Sequence, residues 1–373
     1  MSFVPFLMER WQSTYEHSVR FNLSESGVHP LTLSGLLELA DRTPATLGDT
    51  KLEYSPSQGS PGLRDAIAAL YPGANKDNVV VTSGSAEANY VSVWHLCEPG
   101  DEVVFMVPNY FQAAGAGLNL GASVRPWHIR EENSWRPDLD ELEELVTERT
   151  RLILVTHPNN PTGAVYSGTF FDRVVAAAER VGAWVLADEV YCGAEHSCEE
   201  TPSFFGRYDR LIVTCGLSKA YALPGLRVGW AVTDPATTEA LWSRKDYTSL
   251  SINALSDRLA SLVLQPDVRS LILERTRTIL NQNWSLVDGW LKQHDDIFGC
   301  VAPAAGAIAM VRYDLPIGSL ELVERLRVES DCLLVPGDHF DLPKMLRIGY
   351  GLPAPLLQEG LARLAQMSCS LSE

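Results

Sequence analysis

The chain has 373 residues, a hydrophobic content of 46% and a formal net charge of −17. This length predicts more than one domain, and the acidic balance argues against a nucleic-acid partner, because phosphate backbones are bound by clustered Lys and Arg. We expect neither a membrane span nor a signal peptide, since no run of 18 or more apolar residues occurs and the N-terminus lacks a basic stretch before an apolar block. The seven cysteines include no CxxC pair, which predicts a cytoplasmic protein with free thiols and no metal site.

In chain order, residues 1–40 are predicted to be irregular and to form an arm that joins a small C-terminal domain. From about residue 60, helical stretches alternate with short apolar runs, which are typical of strands buried on both faces of a parallel sheet. These runs are NVVVTS, DEVVFMVP, RLILVTHP, AWVLADEV, LIVTCG and VGWAV. They predict an α/β domain with a mostly parallel sheet over residues 41–265. A long helical stretch, short strands and a final helix then predict a smaller α+β domain over residues 266–373.

Residues with distinctive chemistry follow five of these apolar runs, all except VGWAV. Ligands bind at the carboxyl ends of the strands in an open parallel sheet, so we expect these residues to share one site. They are Ser85, Tyr110, Asn160, Asp188, Tyr191 and Lys219. A lysine amine can bond to an aldehyde, a carboxylate can hold a proton on a pyridine nitrogen, and a helix N-terminus with a nearby arginine can bind a phosphate. The set therefore predicts a site for pyridoxal 5′-phosphate.

In content and order, these motifs resemble those of the class I and II aminotransferases, which are pyridoxal-phosphate-dependent enzymes of fold type I. The likeness covers nearly the whole chain, and it implies a large α/β domain with a smaller α+β C-terminal domain. It further implies that Lys219 bonds covalently to the cofactor and that Asp188 pairs with the pyridinium nitrogen. Asn160 and Tyr191 would bond to the ring oxygen, and Tyr110 would stack on the ring.

The resemblance also assigns the cofactor phosphate and the substrate carboxylate. The phosphate would be held by Ser85, the amides of Ala86 and Glu87, Ser218 and Arg227. Arg347 would bind the α-carboxylate of an amino-acid substrate, a task that suits a planar guanidinium. Tyr54 would reach the phosphate in the other subunit of a homodimer. Gly216 departs from the Ser or Thr that the family often has three residues before the lysine, which predicts the loss of one phosphate contact.

Each of these residues has an ordinary structural explanation when it is taken alone. An isolated lysine is usually a solvated surface charge, and an aspartate at a strand end often caps a helix or forms a turn. A single glycine-rich turn also carries little information. The order of five motifs of suitable chemistry, each at a strand end, favours the cofactor site over these explanations.

Three further segments point to the reaction. Residues 21–39, 216–232 and 244–260 resemble capreomycidine synthase-like enzymes, a subgroup that cyclises hydroxylated arginines in natural-product pathways. The resemblance implies that a side-chain hydroxyl is eliminated from an amino acid with a guanidinium group. The guanidino nitrogen then adds back and closes a ring.

A guanidinium substrate requires carboxylates, which can bind it with two parallel hydrogen bonds. Glu9 and Glu25 lie in the N-terminal segment, which folds over the active site in this fold type, and we predict that both bind substrate together with Gly27. His29 is predicted to be catalytic, exchanging a proton with the leaving hydroxyl. Ordinary roles stay open for these residues, with Glu9 as a charge on a helix surface and His29 as a loop residue.

Two alternative functions follow from the same features. The first is an ordinary aminotransferase acting on a neutral or aromatic amino acid. Aspartate and glutamate are disfavoured, because the chain shows no counterpart of the second arginine that dicarboxylate transaminases use. The second is a non-catalytic sensor, since some transcription regulators carry this fold. It is disfavoured because only about 40 residues precede the predicted main domain, and they are not basic.

Overall fold

A computed structural model of the chain describes residues 3–372. Its α-helices are α1 (Leu7–Tyr15), α2 (Leu33–Leu39), α3 (Ala45–Gly48), α4 (Pro61–Ala68), α5 (Ser85–Leu96), α6 (Gln112–Asn119), α7 (Leu139–Leu145), α8 (Gly168–Val181), α9 (Pro235–Lys245), α10 (Ala254–Val263), α11 (Pro266–Gln293), α12 (Ser319–Ser330) and α13 (Ala354–Ser372). Its strands are β1 (Phe21–Asn22), β2 (Val79–Thr82), β3 (Glu102–Val107), β4 (Ser123–His128), β5 (Thr150–Thr156), β6 (Trp184–Asp188), β7 (Leu211–Gly216), β8 (Gly229–Val232), β9 (Phe298–Cys300), β10 (Ile308–Tyr313), β11 (Cys332–Leu333), β12 (Val335–Pro336) and β13 (Met345–Gly349). Within residues 3–372, no helix is both long enough and apolar enough to cross a membrane.

The larger sheet has seven strands in the order β2-β8-β7-β6-β5-β3-β4. Its pairs are parallel except for those that β8 makes with β2 and β7. Val79 and Val81 pack into one hydrophobic cluster and Val80 into another, so the sheet is covered on both faces. The predicted α/β fold with a mostly parallel sheet is confirmed, and the carboxyl ends of β2, β3, β5, β6 and β7 lie along one edge.

The smaller sheet is antiparallel and has the order β12-β13-β10-β9. Arg347 lies on its strand β13, where it pairs with Met310 of β10 and Val335 of β12. The N-terminal arm lies on this C-terminal part of the chain, because β1 pairs in parallel with β11. The Trp11 side chain of α1 also donates a hydrogen bond to the Leu334 carbonyl, at 2.9 Å.

The arm differs from the predicted irregular segment, because it contains the helices α1 and α2. The sequence before α1 offers no recognisable start signal, since Phe6 occupies the N-cap position and makes no side-chain capping bond. Met8 and Gln12, four residues apart, are the buried positions of this helix. Packing of one face therefore holds α1 in place, although its local sequence gives little indication of a helix.

Candidate active site

A cavity of about 440 Å³ lies at the carboxyl edge of the large sheet, against α1 and β13. Most of the predicted site residues line it. They are Glu9, Glu25, Ser85, Ala86, Tyr110, Asn160, Asp188, Tyr191, Ser218, Lys219, Arg227 and Arg347. The strand topology explains this convergence, because the segments that follow β2, β3, β5, β6 and β7 all emerge at the same edge.

Lys219 follows β7 and extends into the cavity, where its Nζ donates a hydrogen bond to Glu25 Oε1 at 2.9 Å. Burial alone would lower the pKa of the Lys219 amine. The Glu25 carboxylate and the Tyr191 hydroxyl outweigh that effect, so the pKa is raised above its usual value. The charge of Lys219 in turn lowers the pKa of the Glu25 carboxyl to about 2. The two side chains therefore form an ion pair at neutral pH.

Asp188 ends β6 and is buried beneath the cavity. Asn89 Nδ2 donates to its Oδ2 at 2.8 Å, and the Val190 amide donates to its Oδ1 at 3.1 Å. Thr214 fixes the amide of Asn89 by donating to Asn89 Oδ1 at 2.6 Å. Burial raises the pKa of the Asp188 carboxyl, and no cationic side chain among residues 3–372 forms a salt bridge with it. A positively charged N–H group in the cavity would stabilise its ionised form.

Two tyrosines border the same space. Tyr191 is buried beside Ser26, and its hydroxyl has no partner in hydrogen-bonding geometry among residues 3–372. Tyr110 packs edge-on against Phe6, with the ring centroids 4.7 Å apart. Its hydroxyl donates to Glu9 Oε2 at 2.9 Å, and burial together with Glu9 raises its pKa. Tyr191 thus retains a donor for a ligand, whereas Tyr110 connects the cavity to α1.

The opposite wall is formed by the N-terminus of α5, where unpaired amides and the helix dipole favour an anion. A β-carbon at Gly229 would lie only 2.2 Å from the Ser85 backbone nitrogen, so only glycine allows β8 to pack against this helix start. Arg227 lies beside it, and no carboxylate among residues 3–372 pairs with its guanidinium. At Gly216 a β-carbon would lie 2.9 Å from the Val228 carbonyl oxygen, which leaves little room for the serine or threonine common in the family.

The structure places Glu87 differently from its predicted role at the phosphate. Its backbone amide donates to the Gly84 carbonyl at 3.2 Å. Its carboxylate accepts hydrogen bonds from the Ser249 amide and hydroxyl and from the Thr248 hydroxyl. Glu87 therefore fastens the loop after α9 to α5, and it is not among the residues that line the cavity.

Arg347 is a buried cation on the floor of the cavity, with 1% of its surface exposed. Nη1 donates to Asn160 Oδ1 at 3.2 Å, and Nη2 donates to the Ser24 carbonyl at 2.6 Å. Burial lowers the pKa of its guanidinium. Among residues 3–372, no carboxylate forms a salt bridge with Arg347, and its Nε has no hydrogen-bond partner. A ligand carboxylate would supply the missing counter-charge.

Two predicted residues of the arm do not line the main cavity. His29 Nδ1 lies 3.1 Å from the Gly351 carbonyl, which also accepts the His29 amide. This double contact holds His29 against the segment after β13, and the cavity lining does not include it. Its role in proton transfer stays a prediction. Gly27 lies behind Lys219, where a β-carbon would be 3.6 Å from the Lys219 Cδ. Gly27 therefore borders the lysine stem, and the cavity lining does not include it.

Two residues that the sequence did not reveal also line the cavity, Gln12 of α1 and Glu16, which caps the C-terminal end of α1. With Glu9 they have the spacing i, i+3 and i+7, which places them on one face of a helix. That spacing would have identified them if α1 had been recognised. Burial raises the pKa of the Glu16 carboxyl, and the nearby carboxylates Glu25 and Glu9 raise it further. Three glutamates therefore line the cavity, in addition to Asp188.

These features fit pyridoxal 5′-phosphate. The helix start at Ser85 and the unpaired Arg227 suit its phosphate, Asp188 suits a protonated ring nitrogen, and the Tyr191 hydroxyl suits the ring oxygen. When bound, this cofactor withdraws electrons from the α-carbon of an amino acid and so labilises its bonds. Lys219 is the amine within the cavity that can bond to its aldehyde.

Comparisons with known proteins support the fold and the cofactor. The family model "Aminotransferase class I and II" matches residues 24–364. The chain is 34% identical to capreomycidine synthase from Streptomyces vinaceus over 364 residues, which are 96% of this chain and 92% of that protein.

Two solved structures are also similar. A PLP-dependent aminotransferase from Streptococcus suis superposes with a TM-score of 0.94 at 33% identity, and the match covers 100% of both chains. The PLP-dependent cyclase OrfR superposes with a TM-score of 0.89 at 27% identity, with 99% of this chain and 98% of that chain covered. The chain therefore belongs to the class I and II aminotransferase family and is a pyridoxal-phosphate-dependent enzyme.

Proposed function

We propose that this enzyme eliminates a side-chain hydroxyl from a hydroxyarginine and closes a ring by adding the guanidino nitrogen, as a step in natural-product biosynthesis. The names of two relatives support this choice, since one is a capreomycidine synthase and the other a PLP-dependent cyclase. The single observation that carries the proposal is the charge arrangement of the cavity, in which a buried, unpaired arginine shares the space with three glutamates.

In this proposal, Arg347 binds the α-carboxylate of the substrate. Its guanidinium is held in position by Asn160 and Ser24 and retains an unpaired Nε. A carboxylate bound there would neutralise a buried cation that has no salt-bridge partner within residues 3–372. The contact fixes one end of the substrate, so the other charged groups of the cavity select its side chain.

Glu9 and Glu16 are proposed to bind the substrate guanidinium. Glu9 lies on α1 and Glu16 is its C-cap residue, and both line the cavity. The raised pKa of Glu16 reflects burial and the repulsion of Glu25 and Glu9. A guanidinium placed among these carboxylates would relieve the repulsion, whereas a second substrate carboxylate would increase it. The Tyr110 hydroxyl, which donates to Glu9, would hold that carboxylate in position for the substrate. Glu25 is engaged with Lys219 and is therefore assigned a different task below.

The test of this function is a product analysis of the purified holoenzyme. The enzyme is incubated with hydroxyarginines, arginine, glutamate and phenylalanine, and the products are identified by mass spectrometry while the cofactor absorbance is followed. We expect a hydroxyarginine to give a cyclic product with the loss of one water and the cofactor to return to its aldehyde form. The proposal is wrong if glutamate or phenylalanine converts the cofactor fully to its amine form while the arginine-like compounds change nothing.

Replacing Glu9 or Glu16 with glutamine is expected to weaken the binding of arginine-like ligands at least about tenfold, which corresponds to about 1.4 kcal/mol. The reason is the loss of a charge-assisted bond to the guanidinium, whereas glutamine preserves the side-chain shape. Binding is measured by spectral titration of the holoenzyme with arginine and with alanine. Alanine, which has no guanidinium, should bind almost as it does to the unaltered enzyme.

The matched control for these two variants is Glu38→Gln, which removes an exposed carboxylate from α2 of the same arm. Its affinity for arginine should stay unchanged. Equal weakening in all three variants would mean that net charge, rather than contact with the ligand, controls binding. Equal loss of arginine and alanine binding in the Glu9 and Glu16 variants would remove α1 from side-chain recognition.

The second candidate function is an aminotransferase for a neutral or aromatic amino acid, which the 33% identity to the Streptococcus suis aminotransferase favours. The product analysis separates the two candidates, because a transaminase accumulates the amine form of the cofactor when it receives an amino donor alone.

For either function we propose a homodimer. Tyr54, 85% exposed and outside the cavity lining, is proposed to reach the cofactor phosphate of the second subunit.

A further inference from the structure

Glu25 forms a direct hydrogen bond with Lys219, which a role in substrate binding alone would not require. Glu25 Oε1 accepts from Lys219 Nζ at 2.9 Å, and the same oxygen accepts from the amides of Ser26 at 2.8 Å and Gly27 at 3.3 Å. The two amides fix the orientation of the carboxylate. Glu25 therefore presents a prepositioned acceptor to the amine of Lys219.

The backbone of Glu25 is also fixed. The Gly349 amide donates to the Leu23 carbonyl at 2.7 Å. A β-carbon at Gly349 would lie 1.9 Å from the Glu25 carbonyl oxygen, so the arm packs against β13 more closely than any other residue would permit. The strand that carries Arg347 thus also determines where the Glu25 carboxylate lies.

Charged and titratable groups from several parts of the fold affect the pKa of the Lys219 amine. Glu25 and Tyr191 favour its ammonium form, and Arg347 opposes it. Asp188 and Glu16 also interact with its charge. Burial raises the pKa of both carboxyls, and the positive charge of Lys219 partly offsets that rise. Among these groups, only Glu25 forms a hydrogen bond with Lys219 Nζ within residues 3–372. Glu25 is therefore the group that can both orient the ammonium and stabilise it.

We propose that Glu25 is a positioning residue that directs the proton on Lys219 towards the leaving hydroxyl and so favours elimination over transamination. The proposal rests on the proposed function. The free Lys219 amine takes the α-proton of the substrate and becomes an ammonium ion beside Glu25. The electron pair left on the α-carbon forms a double bond to the neighbouring carbon, whose bond to the hydroxyl oxygen breaks. Lys219 gives its proton to that oxygen, which keeps the bonding electrons, and water leaves.

Ring closure completes the reaction and returns the α-proton to the substrate. A guanidino nitrogen bonds to the carbon that lost the hydroxyl, and the proton released by that nitrogen returns through Lys219 to the α-carbon. The net change is the loss of one water, with no oxidant or reductant. A transaminase would instead deliver the proton from its lysine to the cofactor, and an ammonium held by Glu25 is less available for that transfer.

The first test is a pH titration of the visible band of the holoenzyme without substrate, in the unaltered enzyme and in Glu25→Gln. Removing the carboxylate should lower the pH midpoint of the band, because a negative charge beside the Lys219 nitrogen stabilises its protonated form. The control Glu38→Gln removes an exposed carboxylate of the same arm that makes no bond to Lys219, and its midpoint should stay close to that of the unaltered enzyme. An unchanged midpoint in Glu25→Gln would overturn the assignment, as would an equal shift in both variants.

The second test measures the partition between reactions. The measured quantity is the number of conversions of the cofactor to its amine form per molecule of cyclised product, with a hydroxyarginine as the substrate. This ratio should be at least about tenfold higher in Glu25→Gln than in the unaltered enzyme. A tenfold change corresponds to about 1.4 kcal/mol in the difference between the two competing barriers. Glu25→Asp retains the charge and should restore part of the original ratio, whereas a purely structural role would give equal losses in both variants. Circular dichroism verifies that both variants are folded.

The outcomes separate this inference from the proposed function. If the unaltered enzyme does not cyclise any hydroxyarginine, the proposed function is wrong, but the band titration still decides whether Glu25 controls Lys219. If cyclisation occurs and Glu25→Gln changes neither the midpoint nor the partition, the proposed function stands and the role of Glu25 is wrong.

Discussion

Replacing Lys219 with alanine is expected to abolish turnover and the visible absorbance of covalently bound cofactor, while the protein stays folded. Lys219 is the lysine that lines the cavity, so no other amine there can bond to the cofactor aldehyde. The measurements are the absorbance spectrum of the purified variant and a product analysis after long incubation. A visible band and full turnover in Lys219→Ala would refute the whole assignment of the site.

The same substitution should alter stability in a pH-dependent way. In the folded protein Lys219 lowers the pKa of Glu25 from 4.5 to about 2. A carboxyl whose pKa is lower in the folded than in the unfolded state adds stability above its unfolded pKa, and this contribution disappears as the pH falls through the folded pKa. The cofactor-free variant should therefore unfold at a lower temperature than the unaltered protein at pH 7, and the difference should shrink as the pH falls from about 4.5 towards about 2.

Lys219→Arg is the matched control for that stability effect. Arginine keeps a positive charge beside Glu25 but cannot bond to the aldehyde. We expect it to restore most of the lost stability and none of the covalent binding. Equal unfolding temperatures for the alanine and arginine variants across the pH range would show that the ion pair contributes nothing to folding.

The large domain and the cofactor residues can be predicted from the sequence for one reason. The order of the strands and the types of residue that follow them both indicate the same cofactor site. Each apolar run is short, and five of the six are followed by a residue that suits one part of the same cofactor. Lys219 and Asp188 lie at the ends of the neighbouring strands β7 and β6, so a parallel sheet is enough to bring them together. This part of the site requires no knowledge of side-chain packing.

The helix α1 and the contacts of the N-terminal arm cannot be predicted in this way. Its helix α1 has no capping bond at its start and is held by contacts with distant strands, so its local sequence does not predict it. Glu16 was missed for that reason. The partner of Glu25 could not be inferred either, because Lys219 is 194 residues away and the contact depends on the packing of the arm against β13. Long-range packing of this kind leaves no periodic signal in the sequence.

Replacing Asp188 with asparagine is the second substitution for which we expect a large effect. An amide cannot hold a proton on the cofactor nitrogen, so the electron-withdrawing form of the ring is lost. We expect turnover to fall by several factors of ten, each of which represents about 1.4 kcal/mol of transition-state stabilisation. Cofactor binding should continue, because Lys219 and the phosphate groups are unchanged. Steady-state kinetics and the cofactor spectrum measure the two effects separately.

The stability of the folded protein should change much less than its activity. Burial raises the pKa of the Asp188 carboxyl, so the charged form opposes folding as the pH rises above the unfolded pKa. A neutral asparagine removes that penalty, but it replaces one of the two acceptor oxygens of Asp188 with a donor that faces Asn89 or Val190. The cofactor-free variant should therefore stay close to the unaltered protein in stability at pH 7. The thermal midpoint is therefore measured beside the turnover rate, since a variant that is merely misfolded would lose both.

Glu189→Gln is the matched control for this last prediction. Glu189 adjoins Asp188 in the chain and is also buried, and burial raises the pKa of its carboxyl to about 8. It accepts hydrogen bonds from Ser203 and Phe204 and does not line the cavity. Glutamine keeps the Oε1 atom that accepts both bonds, so turnover should stay nearly unchanged in this variant, in contrast to Asp188→Asn. Unaltered kinetics in Asp188→Asn, or an equal loss of turnover in both variants, would show that the Asp188 carboxylate does not act on the cofactor ring.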